Sequence, residues 1–122
     1  MPRLVEMDDK TTLIDQMEIG SGPVILINVF TVEEKDGPQF LKAWSADAAV
    51  MKRQPGFIST QLHKGVGGSR IFVNYAVWES AQDFKRAFST PEFQSKMKDY
   101  PSNAIASPHL FQKIAVPGIC VA

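Results

Sequence analysis

The most informative segment of the chain is residues 70–79, which read Arg-Ile-Phe-Val-Asn-Tyr-Ala-Val-Trp-Glu. Most of these residues are β-branched or aromatic and a glycine-rich segment precedes them, so the pattern predicts a strand. Side chains alternate between the two faces of a strand, which places Asn74 and Trp78 on one face. Leaving a buried primary amide unpaired costs roughly 1–3 kcal/mol. Asn74 is therefore either bonded within the fold or available to a ligand.

A second lone asparagine lies in residues 24–32, Val-Ile-Leu-Ile-Asn-Val-Phe-Thr-Val. This run is apolar at both odd and even positions, which is typical of a strand that is covered on both faces. Asn28 shares its face with Leu26 and Phe30. Asn28 is thus a second amide that either the fold or a ligand must satisfy.

Between these strands the spacing predicts a helix from Asp36 to residue 54, with Asp36 as N-cap and Pro38 in the first turn. Trp44 lies on its apolar stripe. A strand at 57–64 and a glycine-rich hairpin loop at 65–69 follow.

After Trp78, Ser80 and Asp83 have capping-box spacing, and Phe84 and Phe88 supply the apolar face of a second helix. Phe93 and Met97 line a short helix that ends before Pro101. Residues 102–108 are predicted as a loop and residues 109–116 as the last strand.

The order β, α, β, β, α, β predicts an α+β fold of the ferredoxin-like split βαβ type, with a four-stranded antiparallel sheet and both helices on one face. We assign residues 24–116 to this domain, 1–23 to an N-terminal extension with an edge strand at 11–19, and 117–122 to a tail. Strands that are apolar on both faces cannot leave one face in water, so we expect a homodimer that pairs sheet to sheet.

Thirteen basic residues balance thirteen acidic residues, and neither kind is clustered, so nucleic-acid binding is not expected. No apolar run approaches the roughly 20 residues of a membrane span, and the first residues lack a secretory pattern. A cytoplasmic protein without membrane attachment is the expectation. His63, His109 and Cys120 are too dispersed to form a metal site, so none is predicted.

Three segments together resemble the antibiotic biosynthesis monooxygenase superfamily: residues 26–30, the turn at 54–57, and residues 74–80 with the helix after them. The resemblance implies a dimeric α+β barrel. It also implies an oxygenase activity that needs no cofactor and acts on a phenolic, quinol or anthrone-like substrate with O2. The family's asparagine and tryptophan fall on Asn74 and Trp78, which the resemblance makes the catalytic pair.

Substrate contacts are expected from the second asparagine, from aromatic and methionine side chains on the helices, and from a histidine at the start of the last strand: Asn28, Trp44, Phe84, Phe88, Met97 and His109. Two alternatives remain. The haem-degrading branch is similar at Asn28 and Trp78, but its proximal histidine would fall in residues 93–97, which contain none. A non-catalytic dimeric binding or stress-response domain is the other.

Overall fold

The structure is a computed structural model that describes residues 1–20 and 22–122. Among these residues, one sheet has the strand order β1-β5-β2-β4-β3, with β1 and β5 parallel and the other neighbours antiparallel. The strands are β1 (Arg3–Leu4), β2 (Val24–Thr31), β3 (Phe57–Lys64), β4 (Ile71–Trp78) and β5 (Ile105–Phe111). The helices are α1 (Leu13–Met17), α2 (Gly37–Met51), α3 (Ala81–Phe88) and α4 (Pro91–Lys96), with 3-10 turns at Glu34–Asp36 and Met97–Asp99. The ferredoxin-like α+β fold is confirmed, although the sheet has five strands rather than the four predicted.

The two faces of the sheet differ along β4 as the alternation predicts. Phe72, Ala76 and Trp78 are buried, whereas Tyr75 on the opposite face is 39% exposed. On the buried side the aromatic rings of the sheet meet those of the helices, and Trp78 lies edge-on to Phe84 with 5.7 Å between centroids. The helical layer and one sheet face therefore enclose the core.

A glycine turn fixes the entry to β3 beside Trp78. Gly56 has φ +88°, and a Cβ there would lie 2.3 Å from Cγ of Asp83. The backbone N–H of Glu79 donates to Gly56 O at 2.8 Å, and Phe57 pairs with Trp78 across the strands. Only glycine fits this conformation and this approach, so the turn holds Phe57 against the indole.

The predicted strand at residues 11–19 is wrong. Thr12 caps α1 by accepting from Asp15 N–H, and Asp15 Oδ2 accepts from Thr12 N–H in return. Leu13 and Met17 are both buried. Their spacing of four places them on one face in either a helix or a strand, so the pattern alone was ambiguous. The edge strand is instead β1, two residues long, which adds the fifth strand to the sheet.

The last strand begins four residues earlier than predicted and ends at Phe111 rather than Val116. Pro108 suggested a loop, yet it lies in mid-strand opposite Asn28. The backbone N–H of Leu110 donates to Oε1 of Gln16, and its C=O accepts from Nε2 of Gln16. Both backbone groups of Leu110 therefore point away from β2. Residues two apart in a strand direct their backbone groups the same way, so the nitrogen of Pro108 also points to this edge, where no ladder hydrogen bond is lost.

No helix in the described ranges is long and apolar enough to cross a membrane.

Candidate functional site

A cavity of about 70 Å³ lies between the sheet and the helices. Its polar lining comes from one aspartate, one tyrosine, one threonine, two asparagines and the indole of Trp78, while the rest is apolar. The lining consists of Pro2, Leu4, Leu26, Asn28, Phe30, Trp44, Asp47, Ala48, Met51, Phe57, Thr60, Asn74, Ala76, Trp78, Phe84, Phe88, Phe93, Met97, Tyr100, Ala106 and Pro108. A few polar groups within an apolar, concave lining are typical of a small-molecule site.

The two asparagines lie side by side on the cavity floor. Asn28 on β2 is directly opposite Asn74 on β4 in the antiparallel ladder. The hydroxyl of Thr60 donates to Asn74 Oδ1 at 2.5 Å. Nδ2 of Asn74 makes no hydrogen bond with any residue that the structure describes, and Asn28 Oδ1 is buried without a partner there. The fold thus provides a hydrogen bond for Oδ1 of Asn74. It leaves Nδ2 of Asn74 and Oδ1 of Asn28 for a ligand.

Trp78 supplies a further unpaired donor. The residue is 1% exposed, and its Nε1 has no acceptor within the described ranges. Phe57 and Phe84 hold the indole by edge contacts, with centroids 5.4 and 5.7 Å away. Buried indole N–H groups usually find a partner. The cavity therefore offers two N–H donors, Asn74 Nδ2 and Trp78 Nε1, together with a carbonyl acceptor on Asn28.

A half-buried carboxylate on the cavity wall is one feature of the site that the sequence reading missed. Asp47 on α2 accepts a hydrogen bond from the hydroxyl of Tyr100, with 2.6 Å between the oxygens. Burial raises the pKa of Asp47 from 3.8 to about 6, and the bond from Tyr100 lowers it in part. The pKa of Tyr100 is raised by burial and then by the charge of Asp47, so its hydroxyl stays protonated. A signal existed, because Asp47 continues the inward stripe of Trp44 and Met51 at intervals of three and four residues.

The structure brings seven of the eight predicted site residues together around this cavity: Asn28, Trp44, Asn74, Trp78, Phe84, Phe88 and Met97. His109 is the exception, because strand alternation turns it away from the cavity while Pro108 lines it. Its Nε2 instead lies 3.1 Å from Gln16 Nε2. His63 is exposed on β3. Within the described residues no group of three or more His, Cys, Asp or Glu side chains is placed to hold a metal ion.

Comparison with known proteins finds similarity to monooxygenases. A family model for antibiotic biosynthesis monooxygenase matches residues 23–98. A deoxynogalonate monooxygenase from Streptomyces nogalater is 34% identical over 76 residues, which cover 62% of this chain and 63% of that protein. The match therefore spans less than two thirds of that relative's length.

Solved structures with a similar fold include oxygenases. SnoaB, a cofactor-independent oxygenase from Streptomyces nogalater, aligns with a TM-score of 0.72 at 26% identity, covering 80% of this chain and 99% of SnoaB. A provisionally assigned monooxygenase from Shewanella loihica PV-4 aligns with a TM-score of 0.66 at 31% identity, covering 80% of this chain and all of that one (100%). Pro2 and Leu4, which line the cavity, lie before the region that the family model matches.

Proposed function

The chain belongs to the antibiotic biosynthesis monooxygenase family, and we propose that it is a cofactor-independent monooxygenase that oxidises a small phenolic, quinol or anthrone-like substrate with O2. Loss of a proton from such a substrate leaves an electron-rich anion that passes electrons to O2 directly. For an anthrone-like methylene, two C–H bonds are lost, one oxygen atom becomes the new carbonyl, and the other leaves as water with both hydrogens. The substrate supplies all the electrons, so the balance needs no other reductant.

The observation that carries the proposal is the set of unpaired polar groups in an apolar cavity. Trp78 Nε1 is a buried N–H donor without a partner among the described residues, and the bond from Thr60 engages Oδ1 of Asn74 and leaves its Nδ2 donor for a ligand. Such donors suit an oxyanion, because a preorganised hydrogen bond in a water-poor site is worth roughly 3–4 kcal/mol to a developing negative charge. The carbonyl of Asn28 would accept from a substrate hydroxyl. Trp78, Phe84 and Phe88 provide ring faces and edges for an aromatic substrate.

The cavity volume sets a condition on binding. About 70 Å³ is well below the roughly 300–1,000 Å³ of typical ligand sites, so a ring system requires side chains to move aside. Met51 and Met97 are unbranched thioethers that adapt readily, and Phe88 is only half-buried. Entry of the substrate would therefore proceed by rearrangement of the helical wall rather than of the sheet.

The open face of the sheet supports assembly as a homodimer. Tyr75 lies on that face at 39% exposure, among half-buried β-branched residues that a single chain leaves uncovered: Ile25, Ile27, Val29, Ile71, Val73 and Val77. A second copy packing sheet to sheet would remove this apolar surface from water.

No observation favours the haem-degrading alternative, since neither histidine, His63 nor His109, is among the described residues that line the cavity. A non-catalytic binding domain could hold a ligand with the same unpaired polar atoms, so turnover of a substrate is what separates an enzyme from such a domain.

The decisive experiment is oxygen uptake by the purified protein with a panel of quinols and anthrones, with labelled O2 to count the oxygen atoms transferred. One labelled atom per product is expected, and Asn74→Ala should lower kcat by about 10²–10³-fold. Asn103→Ala removes an exposed amide and serves as the matched control. No turnover with any substrate, or an Asn74→Ala variant as active as the parent, would refute the proposal.

A further inference from the structure

We infer that Asp47 is the base that accepts the substrate's hydroxyl proton, and that Tyr100 positions its carboxylate for this task. The inference rests on the proposed function and assigns the proton step within the same site. Asp47 and Tyr100 are the two residues with titratable side chains among the described residues that line the cavity. A base must reach the proton that it removes, and Asp47 is the one carboxylate that the described residues place on the cavity wall.

The hydrogen bonding of the carboxylate leaves one oxygen available. Oδ2 of Asp47 accepts from the Tyr100 hydroxyl at 2.6 Å, and Oδ1 makes no hydrogen bond with another described residue. Asp47 takes part in none of the salt bridges of the described chain. A carboxylate without a cation beside it keeps its basicity, and the uncommitted oxygen is free to accept a proton from a bound molecule.

Tyr100 is held rigidly, which fixes the carboxylate in turn. The residue is 2% exposed, and its ring stacks on Phe30 at 6.0 Å with an interplanar angle of 10°. Phe40 approaches the same ring at 5.7 Å. Because its pKa is raised, the hydroxyl remains a donor to Oδ2 and does not compete as a base.

None of the charged groups on neighbouring elements lines the cavity beside Asp47, among the residues that the structure describes. Those on its own helix and on the elements packed against that helix are exposed or half-buried, and none lines the cavity: Glu34, Lys35, Asp36, Lys42, Lys52, Glu92, Lys96, Lys98 and Asp99. Burial is accordingly the main cause of the raised pKa of Asp47, at about 6. The pKa of a phenol is about 10, and that of an ordinary aspartate is about 3.9. The raised pKa of Asp47 therefore narrows the gap between the base and a phenolic substrate.

The proton balance closes with O2 as the oxidant. An anthrone-like substrate reacts as its enol tautomer, in which one methylene hydrogen has already moved from carbon to oxygen. The O–H bond of this tautomer breaks, its electron pair stays on the substrate oxygen, and a new O–H bond forms at Asp47 Oδ1. Asn74 Nδ2 and Trp78 Nε1 donate to the resulting anion. After O2 has added to carbon, the protonated carboxyl returns the proton to the peroxide. The carboxylate then accepts the remaining C–H proton as the O–O bond breaks, and it passes that proton to the departing hydroxide to form water.

A binding experiment without turnover tests the proton transfer directly. The probe is 2-hydroxyanthraquinone, a phenol that is already oxidised and whose absorbance reports its ionisation. At pH 7 and without oxygen, the wild-type protein should bind it as the phenolate, and Asp47→Asn should bind it as the neutral phenol. Asp99→Asn, which removes an exposed carboxylate, should behave as wild type. Failure of the wild-type protein to bind the probe, a neutral bound probe, or equal ionisation in Asp47→Asn would overturn the inference, even for a protein that oxidises substrate.

Kinetics separate a base from a structural residue. For wild type, kcat/KM should rise with pH and level off above about 6. In Asp47→Asn this rise with pH should be absent, and kcat should be lower by about 10²–10⁴-fold. The variant should recover at pH values where the substrate ionises in solution. Tyr100→Phe removes a bond that lowers the pKa of Asp47, so the limb should move to higher pH. A variant within a few-fold of wild type at pH 7, or one without recovery at high pH, would overturn the assignment.

Discussion

Replacing Asp47 by asparagine should remove a pH-dependent loss of stability that this half-buried carboxylate imposes on the folded protein. Burial raises the pKa of this group from 3.8 to about 6. At about 1.36 kcal/mol per pH unit, the rise corresponds to about 3 kcal/mol of destabilisation of the ionised form. The half-buried carboxylate keeps a partner in the fold, because the hydroxyl of the buried Tyr100 donates a hydrogen bond to it.

The sign follows from proton linkage. The folded protein holds this proton to a higher pH than the unfolded chain, so the free energy of unfolding falls as pH rises from about 4 to about 6 and is then unaffected by this group. Asparagine does not titrate. Between pH 4.5 and pH 7.5 the stability of Asp47→Asn relative to wild type should therefore increase by about 2 kcal/mol.

The assay is urea unfolding of both proteins at the two pH values and at one protein concentration, because association makes stability depend on concentration. Taking the difference between the two pH values cancels the pH-independent effects of the amide. Asp99→Asn, with its exposed carboxylate, should stay within about 0.5 kcal/mol of wild type at both values. A stability difference between Asp47→Asn and wild type that is the same at both pH values would refute the reasoning, because Asp47 would then titrate alike in the folded and unfolded chains.

Trp78→Phe keeps an aromatic ring but removes the Nε1 donor, so kcat should fall by about 10²-fold; an unchanged kcat would mean that the indole N–H does not touch the reacting anion. Deleting residues 1–5 removes Pro2 and Leu4 from the cavity wall, so KM should rise roughly fivefold to tenfold while the main sheet still folds, as circular dichroism would show. Tyr75→Glu places a charge on the open sheet face, and light scattering should then report a monomer where wild type gives a dimer; a wild-type protein that is itself monomeric would contradict the assembly.

The sheet was predictable because its signals are local. Strand β3 has the predicted bounds, and β4 differs from its prediction by one residue at each end. Alternation along β4 was enough to place Asn74 and Trp78 on one face, since a strand has a side-chain period of two. The errors fall where local rules conflict. Leu13 and Met17 fit two periodicities, and Pro108 reads as a breaker unless its nitrogen is known to point to an unpaired edge.

Contacts between residues that are far apart in the chain could not be predicted from the sequence pattern. The sequence identified Asn28 and Asn74 separately as lone amides in apolar strands. Their position directly opposite each other depends on the register between β2 and β4. Thr60, which satisfies Asn74 Oδ1, had no distinguishing pattern at all. His109 illustrates the reverse case, because a chemically attractive side chain lies one strand position from the cavity and faces away from it.

The chain's own periodicity and turn residues settled the class of fold and the face on which Asn74 and Trp78 lie, because those properties depend on neighbours within a few residues. The hydrogen bond between Asp47 and Tyr100 joins side chains that are 53 positions apart. Burial of that pair, and with it the raised pKa of the carboxylate, arises only when α2, the turn after α4 and the sheet exclude water together. Desolvation depends on everything that surrounds a group, so the candidate base became visible only in the folded chain.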